Sequence, residues 1–121
     1  MCPGAPGFGT ATPVPVLPNR EAYRQMAEAS AAVFKDCGSL SLVECWGDDV
    51  PEGKLTSFPL AVQCKDDETV VFAWITWPSK AVRDEGMKKS GDDPRMKPFM
   101  ADMPFDGKRM IFGGFQVIVN A

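Results

Sequence analysis

DMPFDGKRMIFGGFQVIV, residues 102–119, is the most patterned stretch of this 121-residue chain. Asp106-Gly107 is a turn dipeptide, Lys108-Arg109 a basic pair, and every residue from Met110 to Val119 except Gln116 is apolar or glycine. That pattern predicts a turn feeding a buried strand, Lys108 to Val119, in which Gly113-Gly114 marks a bulge or a close backbone approach. Upstream, Thr69 to Trp77 predicts a strand with two apolar faces, Val70, Phe72 and Trp74 on one and Val71, Ala73, Ile75 and Trp77 on the other. Helices cover only one side of such a sheet, so the other side needs a partner.

The remaining elements follow from periodicity and breakers. Tyr23, Met26, Ala27, Ser30, Val33, Phe34 and Cys37 recur at three- and four-residue steps, which predicts the strongest helix of the chain, with Asn19 as its N-cap and Gly38 as its stop. Ser39 to Gly47 alternates as a strand, Leu40, Leu42, Glu44 and Trp46 on one side and Val43 and Cys45 on the other, and DDVPEGK after it reads as a long loop. Pro78-Ser79 caps a second, weaker helix to about Lys89, with one more turn around Arg95 to Met100. The first eighteen residues hold eight glycines and prolines, which admit only an irregular edge strand, about Thr10 to Leu17. Residues 1–9 are expected to be a flexible Pro/Gly-rich N-terminus and residues 10–121 a single α+β domain. The order fits a ferredoxin-like βαββαβ sandwich with an antiparallel sheet, and the unpartnered sheet face predicts a homodimer in which two sheets close on each other.

Composition excludes much chemistry. There is no histidine, hence no Ser-His-Asp triad, no Cys-His pair and no histidine general base or ligand. The four cysteines, Cys2, Cys37, Cys45 and Cys64, show no CxxC spacing and read as free thiols, so neither a metal nor a cofactor is implied. A net charge of −3 with only two basic pairs, Lys88-Lys89 and Lys108-Arg109, argues against nucleic acid as a partner. No apolar run approaches the ~18 residues of a membrane span, and MCPGAPGFGTATPVPV lacks the form of a signal peptide, so no membrane partner and a cytosolic location are expected.

Two acidic or glycine-rich stretches carry little. Asp48-Asp49 with Glu52 lacks the alternating ligands of a calcium loop, and Gly47, Gly53 and Lys54 have the wrong glycine spacing for a phosphate loop, with Leu55 where Ser or Thr would stand. Glu44 is more telling, because a carboxylate on a strand face otherwise made of Leu40, Leu42 and Trp46 needs either a cavity or a cationic partner. Arg109, entering the last strand, is the expected partner or an anion contact. Without a partner, Glu44 is the candidate general base. Tyr23, Trp46, Phe72, Trp74 and Phe112 are the candidates to line a pocket for a small apolar or aromatic molecule, against the alternative that they are core.

The segments AYRQMAE (22–28), VECWGDDVP (43–51), GKLTSFP (53–59), VVFAWITWPSK (70–80), DPRMK (93–97) and MPFDGKRMIFGGF (103–115) together resemble the YbaA-like family, a domain of unknown function. The resemblance covers most of Ala22 to Phe115 and departs at the Pro/Gly-rich start. It implies a dimeric α+β barrel similar to that of antibiotic-biosynthesis-type monooxygenases, and it implies no activity. Three function classes follow: a ligand-binding homodimer, a cofactor-independent enzyme of monooxygenase, isomerase or cyclase type using a pocket carboxylate such as Glu44, and a structural or interaction partner without ligand.

Overall fold

The computed structural model describes residues 6–16 and 19–121. Four strands, β1 (Pro6–Pro15), β2 (Ser41–Trp46), β3 (Glu68–Thr76) and β4 (Ile111–Gln116), form one antiparallel sheet in the order β2-β3-β1-β4. The main helices are α1 (Asn19–Asp36) and α3 (Lys80–Asp92), with short helices α2 (Phe58–Ala61) and α4 (Lys97–Ala101) and 3-10 turns at Pro94–Met96 and Gly107–Arg109. This is the ferredoxin-like α+β arrangement expected from the element order. None of the described helices is long and apolar enough to cross a membrane.

The register sorts the side chains into two faces. Val71, Ala73 and Ile75 of β3 and Val14 of β1 are buried, and Val14 and Val71 pack against Tyr23, Met26 and Ala27 of α1. Trp77, fully buried just past β3, meets the ring of Phe34 edge-on at 6.3 Å. A Cβ on Gly86 of α3 would lie 2.3 Å from the Trp77 ring and 2.8 Å from the Cys37 carbonyl oxygen, so a bare backbone here lets α3 approach α1. Gly38, at φ 108°, ends α1 as expected, and Ser79 Oγ caps α3 by accepting from Val82 N at 3.1 Å.

Several boundaries differ from the sequence reading. β1 begins at Pro6 rather than Thr10 and lies inside the sheet between β3 and β4, not at its edge; Leu17 lies outside the described residues. Prolines are tolerated there for a local reason. The Pro13 carbonyl accepts from Asp106 N, so its donorless nitrogen faces the β4 side, beyond the last β1–β4 pair at Ala11 and Ile111. Asn19 is the first helical residue of α1 rather than its cap. The loop after β2 contains α2, capped by Ser57 Oγ and started by Pro59. β4 spans Ile111–Gln116 only: Lys108 and Arg109 belong to the preceding 3-10 turn, and Ile118 and Val119 are 86% and 77% exposed. Gly113 and Gly114 pair in continuous register with Gly9 and Phe8, so they mark no bulge. Gly114 is instead a close approach, since a Cβ there would stand 2.6 Å from the Arg83 guanidinium.

Candidate functional site

Glu44 sits on the helix-facing side of the edge strand β2, opposite Ala73 of β3 and beneath the first turns of α1. The helical period of α1 turns Tyr23 inward onto the same spot, where its hydroxyl donates to Glu44 Oε2 at 2.7 Å. Burial pushes the Glu44 carboxyl above its usual range, and the Tyr23 hydrogen bond partly opposes that rise. Burial likewise raises Tyr23, reinforced by the charge of Glu44 and by the hydrogen bond. The pair therefore resists losing protons, and Glu44 holds its proton to higher pH than a surface carboxyl does.

Around this pair opens a hollow of about 270 Å³ between α1 and β2, with Trp46 as a wall and Arg20 and Arg24 at its mouth. The Tyr23 and Trp46 rings are 6.3 Å apart, and Phe105 meets Tyr23 edge-on at 6.2 Å from the other side. Arg20, one helical turn before Tyr23, holds its guanidinium 5.5 Å from the centre of the Trp46 ring. Sequence reasoning did not single out Arg20; its position three residues before Tyr23 on an inward-turning helix is the signal that points to it.

Arg109 is not the partner of Glu44. It forks onto both oxygens of Glu68 at 2.7 and 2.6 Å, reaches Asp106 at 2.8 Å through Nε and donates to the Gln63 carbonyl. The sheet order explains the mismatch: Glu44 lies on one edge strand, while Arg109 immediately precedes the opposite edge strand and meets Glu68 at the start of β3. Arg109 holds the Glu68 and Asp106 carboxyls below the usual carboxylate range. Its network borders a second hollow, about 420 Å³, lined also by Asn19, Met103 and Phe105.

The five aromatic candidates divide between two faces. Tyr23 and Trp46 join Glu44, whereas Phe72 and Trp74 point to the opposite face of the sheet, away from α1 and α3, where the short helix α2 sits. There they line an open trough of about 430 Å³ with Phe58, Ile111 and Phe115. Phe112, opposite Thr10, alternates onto the other face beside Phe8 at 5.8 Å and only borders the trough. A Cβ at Gly7 would fall 1.9 Å from the Trp74 ring and one at Gly9 3.0 Å from it, so the indole lies flat on bare β1 backbone, beside Phe115 at 5.6 Å. Phe72 is 40% and Phe115 53% exposed. The double-sided apolarity of β3 thus has α1 and α3 on one face and, on the other, α2 beside an aromatic surface that is still about half exposed among the described residues.

The family model described as a protein of unknown function (DUF1428) matches residues 8–107. The uncharacterized protein YbaA of Escherichia coli strain K12 is 52% identical over 114 residues, covering 94% of this chain and 95% of its own length, and YbaA of Shigella flexneri matches equally. Among solved structures, a dimeric ferredoxin-like protein from an uncultured marine organism aligns over 96% of this chain and 99% of its own, with a TM-score of 0.60 at 13% identity. SnoaB, a cofactor-independent oxygenase from Streptomyces nogalater, aligns over 91% and 89% with a TM-score of 0.55 at 16% identity. At these identities the two structures share a fold with this chain.

Proposed function

This chain belongs to the YbaA-like DUF1428 family, and we propose that it is a cytosolic homodimeric α+β barrel that binds a small hydrophobic or aromatic molecule in the hollow between α1 and β2. The observation that carries the binding reading is the Tyr23–Glu44 hydrogen bond at the floor of an aromatic-walled hollow, because a half-buried carboxyl costs folding energy that a purely structural edge would avoid with an apolar residue. The dimer rests on the trough side of the sheet. Phe58, Phe72, Ile111 and Phe115 are each still about half exposed, and covering that half recovers roughly 1 kcal/mol per side chain. A second copy presenting the same surface meets it isologously. The dimeric state named for the marine ferredoxin-like protein supports the same assembly.

Native mass spectrometry of gently purified protein tests both parts. A dimer carrying extra mass that is lost in Trp46→Ala supports the reading. A monomer at micromolar concentration overturns the barrel, and a bound molecule unaffected by Trp46→Ala overturns the assignment of the hollow.

A second reading, a cofactor-independent enzyme, is favoured by the raised Glu44 carboxyl, which is suited to take a proton from a bound substrate. The activity named for SnoaB makes oxygenation one chemistry to assay. Glu44→Gln separates the readings: an enzyme keeps its ligand and loses turnover, whereas a binder shows no turnover in either form.

A further inference from the structure

The two arginines at the mouth of the Glu44 hollow are not equivalent. Arg24 is held by Glu21 at 2.6 Å and also pairs with Glu28. Arg20, one residue before Glu21 and on the Trp46 side, makes no ion pair among the described residues. Its contact is the face of the Trp46 ring, which parks the guanidinium over the hollow without using its hydrogen-bonding fork. At the floor, Glu44 uses Oε2 to accept from Tyr23, and Oε1 has no hydrogen-bond partner among the described residues.

Resting on the ligand-binding reading above, we infer that this hollow takes a single-ring aromatic acid, with its carboxylate on Arg20, its ring against Trp46 and a neutral hydroxyl at the far end on Glu44. Volume sets the ring count. About 270 Å³ lies just under the range of drug-sized sites, roughly 300–1,000 Å³, and suits one substituted ring rather than a fused system. Charge sets the orientation. An anionic group placed at the floor meets the Glu44 carboxyl, whereas at the mouth it meets a planar guanidinium able to hold a carboxylate through two parallel hydrogen bonds. The free Oε1 then accepts from a ligand hydroxyl, a donor that a second carboxylate at that end does not supply.

The test compares 4-hydroxybenzoate with its neutral analogue 4-hydroxybenzyl alcohol by calorimetry and by the Trp46 indole N–H signal, in the full-length protein and its Arg20→Gln and Arg20→Lys variants. The expected result is an acid at least about 10-fold tighter than the alcohol, equivalent to ~1.4 kcal/mol. Arg20→Gln should abolish that preference, so that acid and alcohol bind within about two-fold of each other, and Arg20→Lys should restore part of it. Equal binding of acid and alcohol, or an acid preference that survives in Arg20→Gln, overturns the anion assignment and leaves the hollow as a neutral aromatic site. If neither probe moves the Trp46 signal, the aromatic-acid inference fails, whereas the ligand-binding reading itself falls only if native mass spectrometry also finds no retained molecule that depends on Trp46.

Discussion

Replacing Tyr23 by Phe removes one hydroxyl and leaves the ring in the core, so it isolates the bond to Glu44. Hydrogen bonds to a charged group contribute about 1.5–3 kcal/mol and neutral ones about 0.5–1.5. Glu44 changes from the second kind of partner to the first when it ionises. Its carboxyl is already raised by burial, and the Tyr23 hydroxyl is the group that lowers it, so the variant should raise it further. Because a raised native pKa means the folded state holds its proton longer than the unfolded chain, the penalty is smallest in acid and grows as the pH rises through the native pKa of Glu44. Tyr23→Phe should therefore cost roughly 0.5–1.5 kcal/mol while Glu44 is protonated and up to about 1.5–3 kcal/mol once it is ionised, so the loss at pH 8 should exceed the loss at pH 4. Urea unfolding at both pH values, followed by tryptophan fluorescence at fixed protein concentration, measures the two losses. In a Glu44→Gln background the loss should be small and independent of pH, which a double-mutant cycle exposes. Equal losses at pH 4 and pH 8 in the wild-type background, or a pH-dependent loss that persists in the Glu44→Gln background, would refute the pairing.

Two further outcomes test the scaffold. Gly86→Ala and Gly91→Ala both place alanine in α3, where helix propensity alone favours it by about 0.5–1 kcal/mol. Gly91 has open space around it, so that variant should be stabilised, whereas at Gly86 the new methyl meets Trp77 and the Cys37 carbonyl and should cost about 1–3 kcal/mol; thermal melts that shift both variants the same way contradict the packing of α3 on Trp77. Glu68 is held low by Arg109, so its contribution is present above the usual carboxylate pKa and disappears as the pH falls through its lowered native value. Glu68→Gln should accordingly be less stable than the wild type at pH 7, with the gap in urea midpoint closing as the medium is acidified through that range, and a gap that stays constant would contradict a folded-state ion pair.

Element type was legible where a period runs unbroken. The three- and four-residue steps from Tyr23 to Cys37 and the alternation around Glu44 and across Val70 to Trp77 specify a helix and two strands whatever they pack against, and the observed faces are those expected. The ends were less legible. Pro13 and Pro15 read as edge-strand residues, yet a proline is acceptable in an interior strand where the neighbouring strand has stopped, and only the register shows that pairing with β4 stops at Ala11. Val117 to Val119 continue an apolar run, but β4 ends at Gln116, and among the described residues its pairing with β1 ends at Pro6.

For the site, composition and pattern determined the chemistry that remains. A chain without histidine leaves a carboxylate as the candidate base, and the strand face of Glu44 singled out which one, because a charge among Leu42 and Trp46 needs a local reason. Which group supplies that reason was settled by the tertiary structure. Pairing rules in sequence cannot distinguish Arg109 from Tyr23, since both are suitable donors. The order β2-β3-β1-β4 carries Arg109 to the far edge and onto Glu68, while the crossover of α1 lays Tyr23 and Arg20 directly over Glu44 and Trp46. Side-chain chemistry is a local property of the chain, but the partner a buried charge finds is a property of strand order.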